Sequence, residues 1–273
     1  MSIPMNRWWA LAGAFLLASC TTTSVETTVP LGSGEPSREI RTASDISDLE
    51  RRARVRLELA SAYFARGQLP TALDEVKLAL AAKPDLHEGF NLRGLVYASM
   101  GETALADQSF QRAMQLAPRD GDVLHNYGWF LCQQGRFEPA ERLFLQAMSL
   151  PQYPSMARTM FAHGVCQARA GRWQDAERSL SRAYELDPSN PVTAYNLAEV
   201  LLRRGEIERA RFYVGRVNAV REQSNAQSLW LAARIEHKAG DRGAAQQFGR
   251  QLRERFPQSA EALQFERGRF DEP

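Results

Sequence analysis

Beyond residue 47 the small and apolar positions recur on a long, regular beat, and each beat is marked by a glycine. Gly67, Gly101, Gly135, Gly171, Gly205 and Gly240 follow one another at intervals of 34, 34, 36, 34 and 35 residues. Seven residues before each stands a small residue: Ala60, Gly94, Gly128, Gly164, Ala198 and Ala233. Alanine follows five residues after every one (Ala72, Ala106, Ala140, Ala176, Ala210, Ala245), and twelve after comes a small or aliphatic side chain (Ala79, Ala113, Ala147, Ala183, Val217, Leu252). Pro84, Pro118, Pro151, Pro188 and Pro257 close five units, while the fifth has Glu222 in that place. The pattern predicts two antiparallel helices per unit, joined at the glycine. Glycine tolerates the left-handed conformation that ends the first helix, the alanines allow the second to approach closely, and the proline stops it. Tyr63, Tyr97, Phe110, Phe144 and Leu180 are the large residues that fill the space between layers.

A period near 34 is that of the tetratricopeptide repeat. A single hairpin cannot bury its apolar face alone, so the units stack and share one core around a concave groove. The fold class expected is an all-α, right-handed superhelical solenoid of about six such hairpins. The units fall at about 53–86, 87–120, 121–156, 157–190, 191–225 and 226–259, and a capping helix at Ser259–Phe265 completes a repeat domain over 48–268, with a charged tail at 269–273. One irregularity interrupts the register: SLPQYPSMA, Ser149–Ala157, adds two residues and two prolines, and marks a joint, a contact site or a tolerated insertion.

The segment before the repeats carries a different message. A single positive charge in residues 1–7 precedes the ten-residue apolar run WWALAGAFLL, too short to span a bilayer as an ordinary helix, but suited to a signal peptide. Leu17-Ala18-Ser19-Cys20 resembles the bacterial lipobox. That resemblance implies cleavage after residue 19, acylation of Cys20, several acyl chains to hold the protein stably and, with Thr21 next, delivery to the periplasmic face of the outer membrane. Residues 21–47 are rich in Thr, Ser, Gly and Pro and read as a flexible tether with a reach on the order of 28 Å. Ser47-Asp48-Leu49-Glu50 has capping-box spacing and marks the expected start of the first helix.

Composition excludes several classes. The 273 residues are 44% apolar and 24% charged with a net charge of +2, which is globular rather than disordered or polytopic and leaves no nucleic-acid footprint. No GxSxG, phosphate-cradling glycine loop or HExxH is present. The expectation is therefore a non-enzyme with no cofactor, no metal and no small-molecule substrate. One cluster holds chemistry open: His125, Cys132, His163 and Cys166, on the first helices of units three and four. Two His and two Cys match a zinc site. An oxidising compartment and an even number of cysteines once Cys20 is lipidated favour a Cys132–Cys166 disulfide, and buried free thiols are the third reading.

The repeat register puts Leu57, Ser61 and Phe64 of the first unit towards the groove, with Asn91, Leu95 and Ala98 of the second and His125, Trp129 and Cys132 or Gln133 of the third. Leu57, Phe64, Leu95 and Trp129 then form an apolar strip suited to an amphipathic helix or extended apolar peptide. An envelope enzyme would instead show a polar, titratable groove. Leu57 and Ser61 also stand where repeats that clamp acidic C-terminal tails carry lysine and asparagine, so that clamp is not expected.

Several stretches resemble the PilF/PilW lipoproteins of type IV pilus biogenesis: the lipobox, the Thr/Ser tether, HNYGWFLCQQGRFEPAERLFLQAM at His125–Met148, the PQYP insertion, HGVC at His163–Cys166 and ARFYVGRV at Ala210–Val217. The resemblance covers nearly the whole chain after Cys20. It implies a pilotin, an outer-membrane lipoprotein that binds the pilus secretin and promotes its localisation and multimerisation. It also implies that the secretin-binding residues lie in the first units, at Leu57, Ala60, Tyr63 and Phe64. The missing proline of the fifth unit and Gly249 in place of a bulky residue depart from the pattern. A scaffold lipoprotein for another envelope machine is the alternative.

Overall fold

The computed structural model describes residues 43–270, which form thirteen α-helices and no strand among the described residues. Six hairpins follow in order: α1 (Ala43–Ala65) with α2 (Leu69–Ala82), α3 (His87–Ser99) with α4 (Thr103–Leu116), α5 (Gly121–Gln133) with α6 (Phe137–Met148), α7 (Met156–Arg169) with α8 (Trp173–Leu186), α9 (Pro191–Arg203) with α10 (Ile207–Asn218), and α11 (Ala226–Ala239) with α12 (Arg242–Arg255). The short α13 (Ala260–Glu266) packs on both helices of the last hairpin. Each first helix runs close against the first helix of the next unit, whereas the backbones of successive second helices stand further apart and meet only through long side chains, as Tyr184 of α8 meets Tyr213 of α10 at 5.1 Å. The first helices therefore line the inner side of the stack, and the groove belongs to them.

The hairpin glycines adopt φ values of +71° to +84°, the left-handed conformation that ends α1, α3, α5, α7, α9 and α11. The small residue seven positions earlier meets the residue nine positions after the glycine, and the two are matched in size. A Cβ on Gly94 would lie 2.8 Å from the Phe110 ring, on Gly128 3.0 Å from Phe144 and on Gly164 2.7 Å from Leu180. Where the later residue is only valine, at Val76 and Val214, the earlier one is Ala60 or Ala198, and all four are fully or nearly fully buried. The last unit applies the same rule through a third helix: a Cβ on Gly249 would fall inside the Phe265 ring of α13. The departure at Gly249 is thus the socket of the capping helix.

The insertion between units three and four is a clasp. Tyr153 packs over Gly121, where a Cβ would lie 2.4 Å from its ring, and its hydroxyl donates to the Gly121 carbonyl at 3.1 Å. Thr159 Oγ1 lies 3.0 Å from that hydroxyl and 2.8 Å from His125 Nδ1. In the fifth unit side chains do what proline does elsewhere. Asn225 and Ser228 cap α11 reciprocally, Asn218 bonds to Ser228, and Arg255 reaches Ser224 at 3.0 Å.

Ser47 does not begin the first helix: α1 starts at Ala43 and Ser47 lies inside it, so the capping box has no terminus to cap. Cys20, the apolar run and the tether up to residue 42 lie outside the described residues. Among the described residues no helix is long and apolar enough to cross a membrane.

Candidate docking groove

Across α1, α3 and α5 the inner face holds a cleft of about 280 Å³, lined by Leu57, Ser61, Asn91, Leu92, Leu95 and Val123. Leu57 and Leu95 are half-buried on its floor, and both also pack into the core beneath. Ser61 is exposed and donates its hydroxyl hydrogen to the Leu57 carbonyl at 3.0 Å, while Asn126 donates to Asn91 Oδ1 at 3.3 Å. The floor is thus apolar with two amides and a hydroxyl set into it.

The rim is acidic. His87, Glu88, Asp120 and Asp122 complete the lining. His87 Nε2 lies 3.1 Å from Asp120 and its Nδ1 3.1 Å from Glu88. Asp120 also caps α5, accepting from the Val123 amide at 2.8 Å, and Asp122 pairs with Arg158. These carboxylates have structural partners, and among the described residues no group of His, Cys, Asp and Glu is arranged to hold a metal ion. The second unit's Glu88 and the third unit's Asp122 occupy one repeat position, thirteen residues before the hairpin glycine. Comparing that position across units, where Arg54 and Arg158 also stand, is the signal that finds this rim in the sequence.

Other residues of the inward register are placed differently. Ala60 has no accessible surface and cannot touch a partner. Tyr63 and Phe64 are half-buried against the Leu73, Val76 and Leu80 core rather than lining the cleft. Trp129 is half-buried further along the groove with the Arg169 guanidinium over its ring at 6.0 Å. His125 and Cys132 are buried rather than groove-facing. Burial, with the Arg158 charge adding to it, holds the His125 pKa at about 4.

The zinc arrangement of His125, Cys132, His163 and Cys166 is not assembled. The two sulfurs are bonded to each other, joining α5 to α7, and Phe144 stands between the imidazoles with its ring 6.1 Å from His125 and 5.9 Å from His163. His163 bonds instead to Glu141 at 3.3 Å and Gln167 at 3.1 Å, and Glu141 is held by Arg172 at 2.7 Å. Burial lowers the His163 pKa, against the opposing pull of Glu141. This enclosed network ties units three and four together, and the chemistry the inner face offers is recognition: an apolar floor, hydrogen-bonding groups and a charged rim.

Profiles described as tetratricopeptide repeat match residues 53–76, 87–120, 133–191 and 167–235. The chain is 28% identical over 210 residues to the type IV pilus assembly protein PilF of Pseudomonas aeruginosa, covering 77% of this chain and 83% of that one. A solved structure of Pseudomonas aeruginosa PilF superposes with a TM-score of 0.71 at 26% identity, over 81% of this chain and 99% of that one. The crystal structure of PilW, described as a widely conserved type IV pilus biogenesis factor, gives a TM-score of 0.74 at 26% identity over 77% and 96%. The chain is a tetratricopeptide-repeat protein homologous to PilF and PilW, the type IV pilus biogenesis proteins.

Proposed function

We propose that this protein is a pilotin: a lipoprotein held to the outer membrane through Cys20 that binds the type IV pilus secretin and promotes its localisation and multimerisation. The observation that carries the reading is the cleft of α1, α3 and α5 in a chain homologous to PilF. It offers an apolar floor at Leu57 and Leu95 flanked by Ser61 and Asn91, which suits an amphipathic segment of a secretin subunit. The action is binding without covalent chemistry. Anchoring raises the local concentration of secretin subunits at the membrane and favours ring closure, because joining partners at one surface turns an encounter in bulk into a local one.

The test is the assembly state of the secretin in outer membranes of cells lacking the protein, complemented with wild type, Cys20→Ala or Ser61→Arg. Ser61 is chosen because it is exposed and lines the cleft, so arginine there fills the cleft without disturbing the core. The expected result is loss of detergent-resistant multimers in the deletion and Ser61→Arg strains, and mislocalised secretin with Cys20→Ala. Normal multimers in the deletion strain would reject the role and leave a scaffold for another envelope machine.

A further inference from the structure

At the other end of the inner face the groove already holds a side chain. After α13 the chain turns at Gly268, whose φ is +66°, and brings Phe270 back against α11. The Phe270 ring lies parallel to the His237 imidazole, with centroids 4.1 Å apart and planes 10° from each other. It also meets Trp230 at 5.3 Å and stands edge-on to Phe265 at 5.6 Å. Its carbonyl oxygen accepts the Nε hydrogen of Arg234 at 3.2 Å. The ring stays half-exposed, and beside it a hollow of about 150 Å³ is bounded by Leu202, Arg203, Arg234, His237 and Lys238.

The charge of this region differs from that of the first cleft. Two residues before the hairpin glycine, the first three units carry Ala65, Ser99 and Gln133, whereas the last three carry Arg169, Arg203 and Lys238, all exposed. The two arginines stand over indoles of the unit before, Arg169 over Trp129 at 6.0 Å and Arg203 over Trp173 at 5.8 Å. Glu199, four residues before Arg203 on the same helix, is an acidic neighbour of this face in the fifth unit. In sequence, Phe270 is followed by Asp271 and Glu272.

We infer that the face between α9 and α11 is a second docking site, which takes an extended segment of a partner protein in which an aromatic side chain is followed by carboxylates, and that Phe270 is its intramolecular occupant. Each contact Phe270 makes is one such a segment would reproduce. A flat ring stacks on His237. Arg234 takes a main-chain carbonyl whatever the sequence, and the cationic ladder attracts the carboxylates that follow. The internal occupant competes at an effective concentration on the order of millimolar, which filters out weak ligands. The inference does not depend on the pilotin reading, since it concerns other units and another partner chemistry.

The test uses the full chain and a fluorescein-labelled peptide, Gly-Arg-Phe-Asp-Glu-Pro, with fluorescence anisotropy as the readout. Phe270→Ala, which vacates the site, is expected to bind the peptide at least ~10-fold more tightly than wild type. Adding Arg203→Glu with Lys238→Glu should then weaken binding by ~10-fold, as should rising salt. Because Phe270 also touches Trp230, the melting curve of Phe270→Ala is recorded alongside. Should that variant melt early, the charge-reversal pair is tested in the wild-type background, where the substituted side chains are exposed, and the same loss of affinity is expected. Failure of the folded Phe270→Ala protein to bind, or binding indifferent to charge reversal, would overturn the inference. So would a wild-type dimer that disappears with Phe270→Ala, because the occupant would then be the tail of a second copy.

Discussion

The size matching between paired repeat positions makes a prediction that no single-residue reading contains. Gly94→Ala gains about 1 kcal/mol from helix propensity, so on a surface it would stabilise the protein. Here the new methyl lies 2.8 Å from two ring atoms of Phe110 and 2.9 Å from a third. The ring is fully buried and cannot retreat, since Tyr127 stacks on it at 5.5 Å and Phe130 packs at 5.3 Å. Overpacking of this kind costs about 1–3 kcal/mol, so the single variant is expected to gain nothing and to lose up to about 2 kcal/mol net. Phe110→Val alone empties the ring volume and is expected to lose about 2–4 kcal/mol. Together they recreate the pairing of Ala60 with Val76 and of Ala198 with Val214, so the methyl no longer clashes and its propensity gain remains. The double variant should then be no less stable than Phe110→Val alone, a coupling of about 1–3 kcal/mol in a double-mutant cycle. Urea unfolding followed by helical circular dichroism reads all four corners, provided the m-value stays constant. Additive effects, or Gly94→Ala stabilising the wild-type background, would refute the pairing rule.

The remaining predictions concern the clasp between units three and four. His125 has a folded pKa of about 4 because it is buried beside Arg158, against an unfolded value near 6.5. The unfolded chain therefore binds a proton across that window while the folded chain does not, so this group's stabilisation is complete above pH 6.5 and is lost as pH falls towards 4. A loss of ~2 kcal/mol between pH 7 and pH 5 is expected from it, and His125→Gln should flatten the corresponding part of the urea-midpoint profile; an unchanged slope would count against it. The Cys132–Cys166 bond closes 34 residues of chain, which corresponds to about 4 kcal/mol of loop-closure entropy. Reduction, verified by thiol alkylation, should lower the calorimetric melting temperature, and an unmoved transition would show that the bond contributes little.

Much of this architecture is legible without coordinates because the repeat prints its geometry on the sequence. The hairpin glycines, the small residues and the closing prolines each answer one steric demand, and the demand recurs every 34 residues or so. Residues that satisfy their neighbours along one axis only, such as Leu57 and Leu95, can be placed on the inner face by register alone. Register fails where a third element intervenes. Gly249 looks like a defect until Phe265 arrives from α13 to occupy its space. Ala60 and His125 sit on first helices like their groove-facing neighbours, yet close packing against Val76 and the bond to Thr159 enclose them.

The same limit explains why the inner face looks apolar in sequence and proves graded in structure. Asp120 belongs to the loop before α5, outside the helical positions a register reads, but its capping of Val123 holds it beside His87 at the rim of the first cleft. At the far end, Phe270 follows the last helix as part of an apparently polar tail, and only the turn at Gly268 brings its ring onto His237. Glu88, Asp120 and Asp122 stand at the rim of the first cleft and Arg203, Arg234 and Lys238 around the last hollow, so an extended partner lying along the whole groove would be read in one direction: basic at the first cleft, acidic beside Arg203. A scaffold whose two ends prefer opposite charges fixes the polarity of what it holds, which a uniformly apolar strip could not do.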